Sequence, residues 1–354
     1  MPELQAAELA RVAPLLPPGY GMAAAVLSGN ARGRVWADSA QRPSRALIAT
    51  IEVWVLVGAP GDDGFEEELA RVFQDEVLTG RAMDTDHEEV GLTCVDPAWA
   101  GRLAGLFGGR DLLSDPRQYY EVEAARLTAA PLPEGYERCD VDAAFLERQS
   151  QARGWIEDHY LGHGDFLARS AATVLLQGSE PACWCITDCV EGEAAEVGIE
   201  TDPAHRRRGL AAAAVTITCA RLFERGVRRI GWHCHARNAG SVRTALRSGF
   251  SLVREDPGLF RMFDPVRHEL VRGFCLLEVE ADAPAALAHL QEVLTEHPDL
   301  EARWTVLAAR AAVRSGEEGL GRELLRAAYA GGWPGPLEDD AELTALWAGL
   351  GGPA

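Results

Sequence analysis

Arg206-Arg207-Arg208-Gly209-Leu210-Ala211 stands between a β-like run and a helix-like run. Ahead of it, Ala195-Glu196-Val197-Gly198-Ile199-Glu200-Thr201 reads as extended chain. Behind it, residues 211–225 carry Val215, Cys219 and Leu222 at i, i+4 and i+7, one face of a helix. A strand, a short glycine turn and a helix gather unpaired backbone N–H groups at a helix N-terminus. Those groups, with the positive end of the helix dipole, attract phosphate. Gly209 has no Cβ to hold an anion away, and three arginines add charge for further phosphates. The stretch predicts a seat for a polyphosphorylated ligand.

Its spacing is R-x-x-G-x-A, which is neither the phosphate loop G-x-x-x-x-G-K-[ST] nor the dinucleotide pattern G-x-G-x-x-G. Downstream, Gly226 reads as a helix C-cap and residues 229–235 as a strand. Ile230, Trp232 and Cys234 point to one side of it, and Gly231, His233 and His235 to the other. Arg237-Asn238-Ala239-Gly240-Ser241 follows, then a short helix, then Ser248-Gly249-Phe250 opening another strand.

The two segments, in this order, resemble the paired signatures of the GNAT acyltransferase superfamily: [QR]-x-x-G-x-[GA], then N-x-x-[AS] ahead of a helix and a G-F strand start. The resemblance implies an α/β (α+β) fold whose central mixed sheet contains a bulged, splayed strand pair. It implies acetyl-CoA as cosubstrate, with the pyrophosphate at Arg206, Arg207, Arg208, Gly209, Leu210 and Ala211. The pantetheine arm would lie in the gap between the splayed strands, along the backbone near Ile199 and Thr201, with Asn238 and Ser241 approaching it. The chain is also similar to the group that includes zwittermicin-resistance acetyltransferases, through Glu196 to Thr201, Trp232 to Ser241 and Leu132-Pro-Glu-Gly-Tyr136. That resemblance spans about residues 1 to 263 and implies an α/β part ahead of the catalytic one.

Chemistry in such a fold is direct acyl transfer from the thioester to a bound amine. It needs a base for the ammonium, donors for the oxyanion and an acid for the leaving thiolate. By position before the loop, the resemblance makes Glu196 the base, and Glu200 is its rival. Alternation puts Glu196, Gly198 and Glu200 on one strand face, where two carboxylates could also bind a cationic amine and neighbouring charge would raise one pKa. Many relatives carry a tyrosine acid seven residues after the motif asparagine; here that position is Ala245. Tyr136, His233, His235 or Cys234 could substitute, the thiolate could leave unassisted, or the chain could be no catalyst. Cys183, Cys185 and Cys189 have no second close pair for a zinc site, so no metal is expected.

The chain has 354 residues, a hydrophobic share of 47% and a net charge of −20; none of its 34 basic residues is lysine. That balance argues against nucleic acid as a partner and suits a small cationic amine. No run approaches a membrane span, the start lacks a signal core, and eight cysteines form no disulfide framework, which points to the cytoplasm. Three segments are expected. Residues 1–125 form an α/β part, read as packing or homodimerising, with one buried strand over 46–57 and a helix over 65–78. Residues 126–263 form the acetyltransferase domain, with helical pieces at 139–150, 156–161 and 164–169 and strands at 172–177 and 183–190. Residues 264–354 form a helical tail that resembles a tetratricopeptide array, able to meet a protein partner. The rival readings are a non-catalytic acyl-CoA sensor and a peptide acetyltransferase guided by that tail.

Overall fold

The computed structural model describes residues 1–61, 64–77, 88–107, 111–148, 150–333 and 341–348. The chain divides into two compact units, Met1–Leu112 with Pro116–Leu259, and Leu113–Asp115 with Phe260–Ala354.

The first unit begins with two 3-10 turns and α1 (Gly21–Leu27), then β1 (Arg34–Ala37), β2 (Ala46–Ala49) and β3 (Trp54–Val57). Next come α2 (Phe65–Val72), β4 (Glu89–Cys94) and α3 (Leu103–Leu106). β1, β2 and β3 pair antiparallel, and β4 joins β3 in parallel. The apolar run expected as one strand over 46–57 is therefore two strands with a turn. Thr50 closes that turn: its Oγ1 accepts from the N–H groups of Glu52 (3.2 Å) and Val53 (3.0 Å) and donates to the Val53 carbonyl (2.7 Å). Both strands are buried on both faces, so hydrophobicity alone could not reveal the reversal. The helix expected over 65–78 is regular only to Val72 and continues as a π turn, Phe73–Val77; Leu78 lies outside the described residues.

β5 (Leu113–Ser114) belongs to the second unit. The first unit resumes with β6 (Arg117–Glu123), β7 (Glu137–Asp140), α4 (Ala143–Arg148), α5 (Ser150–His159) and α6 (His163–Arg169). β8 (Ala172–Gln177), β9 (Glu180–Glu191), β10 (Ala194–Thr201), α7 (Leu210–Glu224), β11 (Arg229–His235), α8 (Ala239–Arg247) and β12 (Ser251–Asp256) complete it. The helix expected from 139 starts later. Cys139 pairs with Val174 in the sheet, and Asp142 caps the helix by accepting from the Phe145 N–H at 2.7 Å. The strands order β12-β6-β11-β10-β9-β8-β7. Within this sheet, among the described residues, β10 and β11 are the parallel pair and the other neighbours are antiparallel. β6 precedes this set by sequence, yet it sits between β11 and β12 and pairs with both.

α7 packs one face of this sheet around Ala195, Val197, Val215, Cys219 and Ile230. The other face is covered in two patches. Phe145, Ile156, Tyr160 and Phe166 of α4–α6 meet Val174 and Ile186. Met22 and Val26 of α1 share a core with Ile48, Val55 and Cys189.

In the second unit β13 (Leu259–Met262) lies beside β5, and helices α9 (Pro265–Glu278), α10 (Ala283–Glu296), α11 (Ala302–Arg314), α12 (Glu318–Ala330) and α13 (Ala341–Ala348) follow. Successive helices pack on one another around Leu270, Leu287, Leu290, Ala308 and Ala311, then around Ala309, Leu325 and Leu346. No described helix is long and apolar enough to cross a membrane.

Candidate active site

β10 and β11 pair over Ala194↔Arg229, Ala195↔Ile230 and Glu196↔Gly231, and there the ladder stops. Beyond Glu196, β10 keeps β9 as its neighbour, while β11 beyond Gly231 keeps β6, so a wedge opens. A bulge drives the divergence. The β9–β10 register slips between Glu196 and Val197, leaving Asp188 as the extra residue. Ile199 and Thr201 lie on the splayed part of β10.

Past Thr201 the chain turns into α7. Arg207 (φ 63°) and Gly209 (φ 85°) both adopt left-handed backbone, and Gly209 is the N-cap. Arg206 Nε donates to the Thr201 carbonyl (3.3 Å), and Arg208 Nη2 to that of Ala204 (3.2 Å). Arg208 Nη1 reaches the Tyr136 hydroxyl at 3.0 Å, which also pairs with His205 Nδ1 at 2.9 Å. The three arginines are exposed, Leu210 is buried beneath them, and the first N–H groups of α7, at Leu210 and Ala211, open on the turn. On the opposite arm Asn238 Oδ1 accepts from the Ser241 N–H (3.1 Å) and caps α8. Ser241 Oγ accepts from Trp232 Nε1 (3.1 Å), tying α8 to β11.

Glu196 lies at the apex of the wedge. Two glycines leave room for it: a Cβ at Gly21 would stand 2.9 Å from its Cδ, and one at Gly231 3.0 Å from its Cγ. Around it gather side chains from several other elements. Glu52, in the β2–β3 turn, holds Oε2 3.7 Å from His233 Nε2 and Oε1 3.8 Å from His159 Nε2. His159 stacks on Trp155 at 4.9 Å and shares its Nδ1 proton with the Trp155 carbonyl at 2.8 Å. Asp188, the bulge residue, is buried with Oδ1 lacking a hydrogen-bond partner. Gly198 makes space for it, since a Cβ there would come 2.7 Å from that oxygen. Arg254 is clamped between the rings of Tyr20 and Tyr119, 3.9 Å from each centroid.

These environments push the titrating groups apart. Burial, with the charge of Glu52 behind it, raises Glu196 to about 8 against the Gly21 N–H and Arg254. Burial also works against the Glu52 carboxylate, yet His233, His159 and Arg117 outweigh it and hold Glu52 at about 2. Burial would lower His159, but Glu52 and Asp188 raise it to about 9. Burial takes His233 down to about 4, and Arg117 and Arg254 push the same way. Burial lifts Asp188 well above the usual carboxylate range, and the charge of Glu52 adds to the effect. At neutral pH Glu52 is thus a fixed anion, Glu196 a carboxyl close to titration and His233 a neutral imidazole.

Glu196 and His233 are brought together; Glu200 is exposed opposite Trp184, outside the cluster. The first part, read from the sequence as packing or homodimerising, supplies Glu52, Gly19 and Tyr20. The available signal for Glu52 was a lone acid interrupting the apolar run 46–57. Glu52, His159 and Asp188, and again Glu52, Glu196 and His233, bring ligand atoms within 4.8 Å of one another, a spacing that a cation could bridge. Arg117 and Arg254 beside them act against a metal ion. Ala245, in the usual tyrosine position, is fully buried.

Two spaces meet at Glu196. One, of ≈ 30 Å³, is enclosed by Gly21, Glu52, Arg117, Tyr119, Glu196 and His233. The other, a cleft of ≈ 310 Å³, runs past Gly19, Tyr119, Gly231, Trp232 and Arg254. A splayed parallel pair, a glycine turn capping the following helix and a half-buried carboxyl at the apex define an acyltransferase of the GNAT type.

The model of the GNAT acetyltransferase family matches residues 19–257, and the chain belongs to that family. Among solved structures it is similar to a GCN5-related N-acetyltransferase-like protein from Streptococcus suis, with 17% identity over 73% of this chain and 99% of that one, at a TM-score of 0.54. A GCN5-related N-acetyltransferase from Kribbella flavida shows 19% identity over 68% of this chain and 95% of that one, at a TM-score of 0.44. No curated protein matches.

Proposed function

We propose that this acyltransferase moves an acetyl group from acetyl-CoA to the amine of a small molecule, by direct attack in a ternary complex. The observation that carries the reading is the Glu196 carboxyl, half-buried at the apex of the wedge and open to the ≈ 310 Å³ cleft. Acetyl-CoA supplies the activated thioester. The turn at Arg206, Arg207, Arg208 and Gly209, with the N–H groups of Leu210 and Ala211, would hold its pyrophosphate. The backbone at Ile199 and Thr201, left unpaired on the wedge side, would hold the arm, with Asn238 and Ser241 bordering it from β11's side. Backbone N–H groups of the same segment are suited to the carbonyl oxygen as it gains charge.

Glu196, with a pKa of about 8, matches the demand on a base that must take a proton from an ammonium near neutral pH. His233 stays neutral and borders the acceptor's space, where it also faces Glu52. Exposed Glu200 is assigned an outer role in attracting an amine. We take residues 1–125, as a degenerate GNAT-like half, and residues 126–263 together as the catalytic body, akin to the zwittermicin-resistance-type group. Residues 264–354 serve as a tetratricopeptide-like tail that a protein partner could use, and the cytoplasm is the proposed location.

Calorimetric titration with acetyl-CoA tests the reading against an Arg206→Ala/Gly209→Trp double variant. Micromolar binding lost in the variant is expected, followed by thiol release when amines are added. A protein that binds neither acetyl-CoA nor CoA would sink it.

A further inference from the structure

The cleft is not lined as a simple cation site would be. In a chain of net charge −20, three arginines border the two spaces: Arg117, Arg254 and the exposed Arg229, the last beside Glu121. Arg117, at the start of β6, borders the small space beside Glu52, Glu196 and His233, and its Nε is buried without a hydrogen-bond partner. Arg254 borders the larger cleft across from Glu196. Stacking between Tyr20 and Tyr119 fixes its plane. Its Nη1 is taken by the Gly19 carbonyl (3.1 Å), and its Nε stands 3.1 Å from Asp256. Its Nη2 is buried with no hydrogen-bond partner. A buried guanidinium donor left unmatched is costly unless a ligand completes it, and the planar fork is the geometry that carboxylates fit.

We propose that the acceptor carries an anionic group next to its amine, as an α-amino acid does, with the carboxylate received by Arg117 and Arg254 and the ammonium by Glu196 and Glu52. This deepens the amine-acetyltransferase reading and rests on it. Each space then pairs an arginine with a carboxyl, Arg117 with Glu52 in the smaller and Arg254 with Glu196 in the larger, and Glu196 is the point at which the two spaces meet. The local charge count agrees. With Arg117 and Arg254 set against Glu52 and the Glu196 carboxylate, a bare ammonium would leave the site with an added positive charge. A zwitterion adds none. The acid–base step balances: Glu196 takes one proton from the ammonium, the free amine forms the new C–N bond as the C–S bond to CoA breaks, and the nitrogen's second proton goes to the leaving thiolate, giving the amide and CoASH. Tyr119 and Tyr20 flank the carboxylate end and leave room for a side chain along the ≈ 310 Å³ cleft.

The test compares the twenty L-amino acids with their amides and decarboxylated amines, by thiol release from acetyl-CoA, on full-length protein first shown to bind acetyl-CoA. At least one amino acid should turn over, and its amide should fall about ten- to a hundredfold in kcat/KM, the cost of unmatched charged hydrogen bonds. Arg117→Gln and Arg254→Gln should raise KM for the acid about tenfold, and should raise KM for the amide far less, whatever change in kcat the two substrates share. Arg254→Lys should recover part of the loss. Amides or plain amines used as well as the acids would overturn the proposal. So would arginine variants that raise KM for both classes alike, or inertness of every amino acid in a protein that binds acetyl-CoA. Failure to bind acetyl-CoA would instead strike the acetyltransferase reading itself.

Discussion

Replacing Glu52 by Gln keeps the shape of the side chain in the β2–β3 turn and removes one charge from beside Glu196. The carboxylate oxygens of the two residues lie within 4.8 Å of one another. At an effective dielectric of about 20, two unit charges at that separation repel by about 3.5 kcal/mol, which corresponds to about two and a half pKa units. His159 owes part of its positive charge to Glu52 and would lose it in the variant, returning some of that shift. Glu196 should therefore titrate at least about one unit lower than its present value of about 8. The sign is fixed: a like charge raises a carboxyl pKa, so removing it lowers the pKa. The assay is the initial rate of thiol release from saturating acetyl-CoA between pH 5.5 and pH 9.5, roughly the window around the Glu196 pKa. Wild-type rates should climb through about pH 8, and the variant's limb should reach its plateau at lower pH. A limb that stays in place, or moves to higher pH, would refute the electrostatic coupling between the two carboxyls.

Glu196→Gln should lower kcat by about 10²- to 10⁴-fold, the usual contribution of a general base. The same variant should melt higher than wild type at pH 9 and about equally at pH 4. Wild type carries a folded-state pKa raised from 4.5 to about 8, so its stability is lost as pH rises through that window, and the variant escapes the loss. Gly249→Ala should cost about 3 kcal/mol in urea unfolding: φ is +96° and the new Cβ would stand 2.0 Å from the Arg126 carbonyl oxygen. Tyr136→Phe removes the hydroxyl shared by His205 and Arg208 beside the turn and should weaken acetyl-CoA binding about fivefold, a change calorimetry resolves.

The wedge and its loop could be read from the chain because their determinants are local. Gly209 supplies a left-handed cap eight residues past the end of the strand it follows, and Asn238 accepts from the N–H three residues ahead to cap its helix. The acceptor side could not be read this way. Glu52 and His233 meet across a sequence separation of about half the chain, from a turn hidden inside an apolar run. Asp188 enters the cluster through a bulge, and a single extra residue on one strand leaves no periodic trace. Arg254 and Tyr119 meet through the pairing of β6 with β12, two strands separated by most of the acetyltransferase signatures.

The position of β6 has a consequence for synthesis. The strand leaves the ribosome roughly a hundred residues before β11, and β12 follows later still, so it must wait with both edges open and Tyr120 and Val122 uncovered. Long-range pairing of this kind slows folding and exposes a template for association with other nascent chains. A gene cut after residue 125 would make one fragment with a strand lacking neighbours and another with a sheet lacking its middle. Expressed together, the two pieces should find each other.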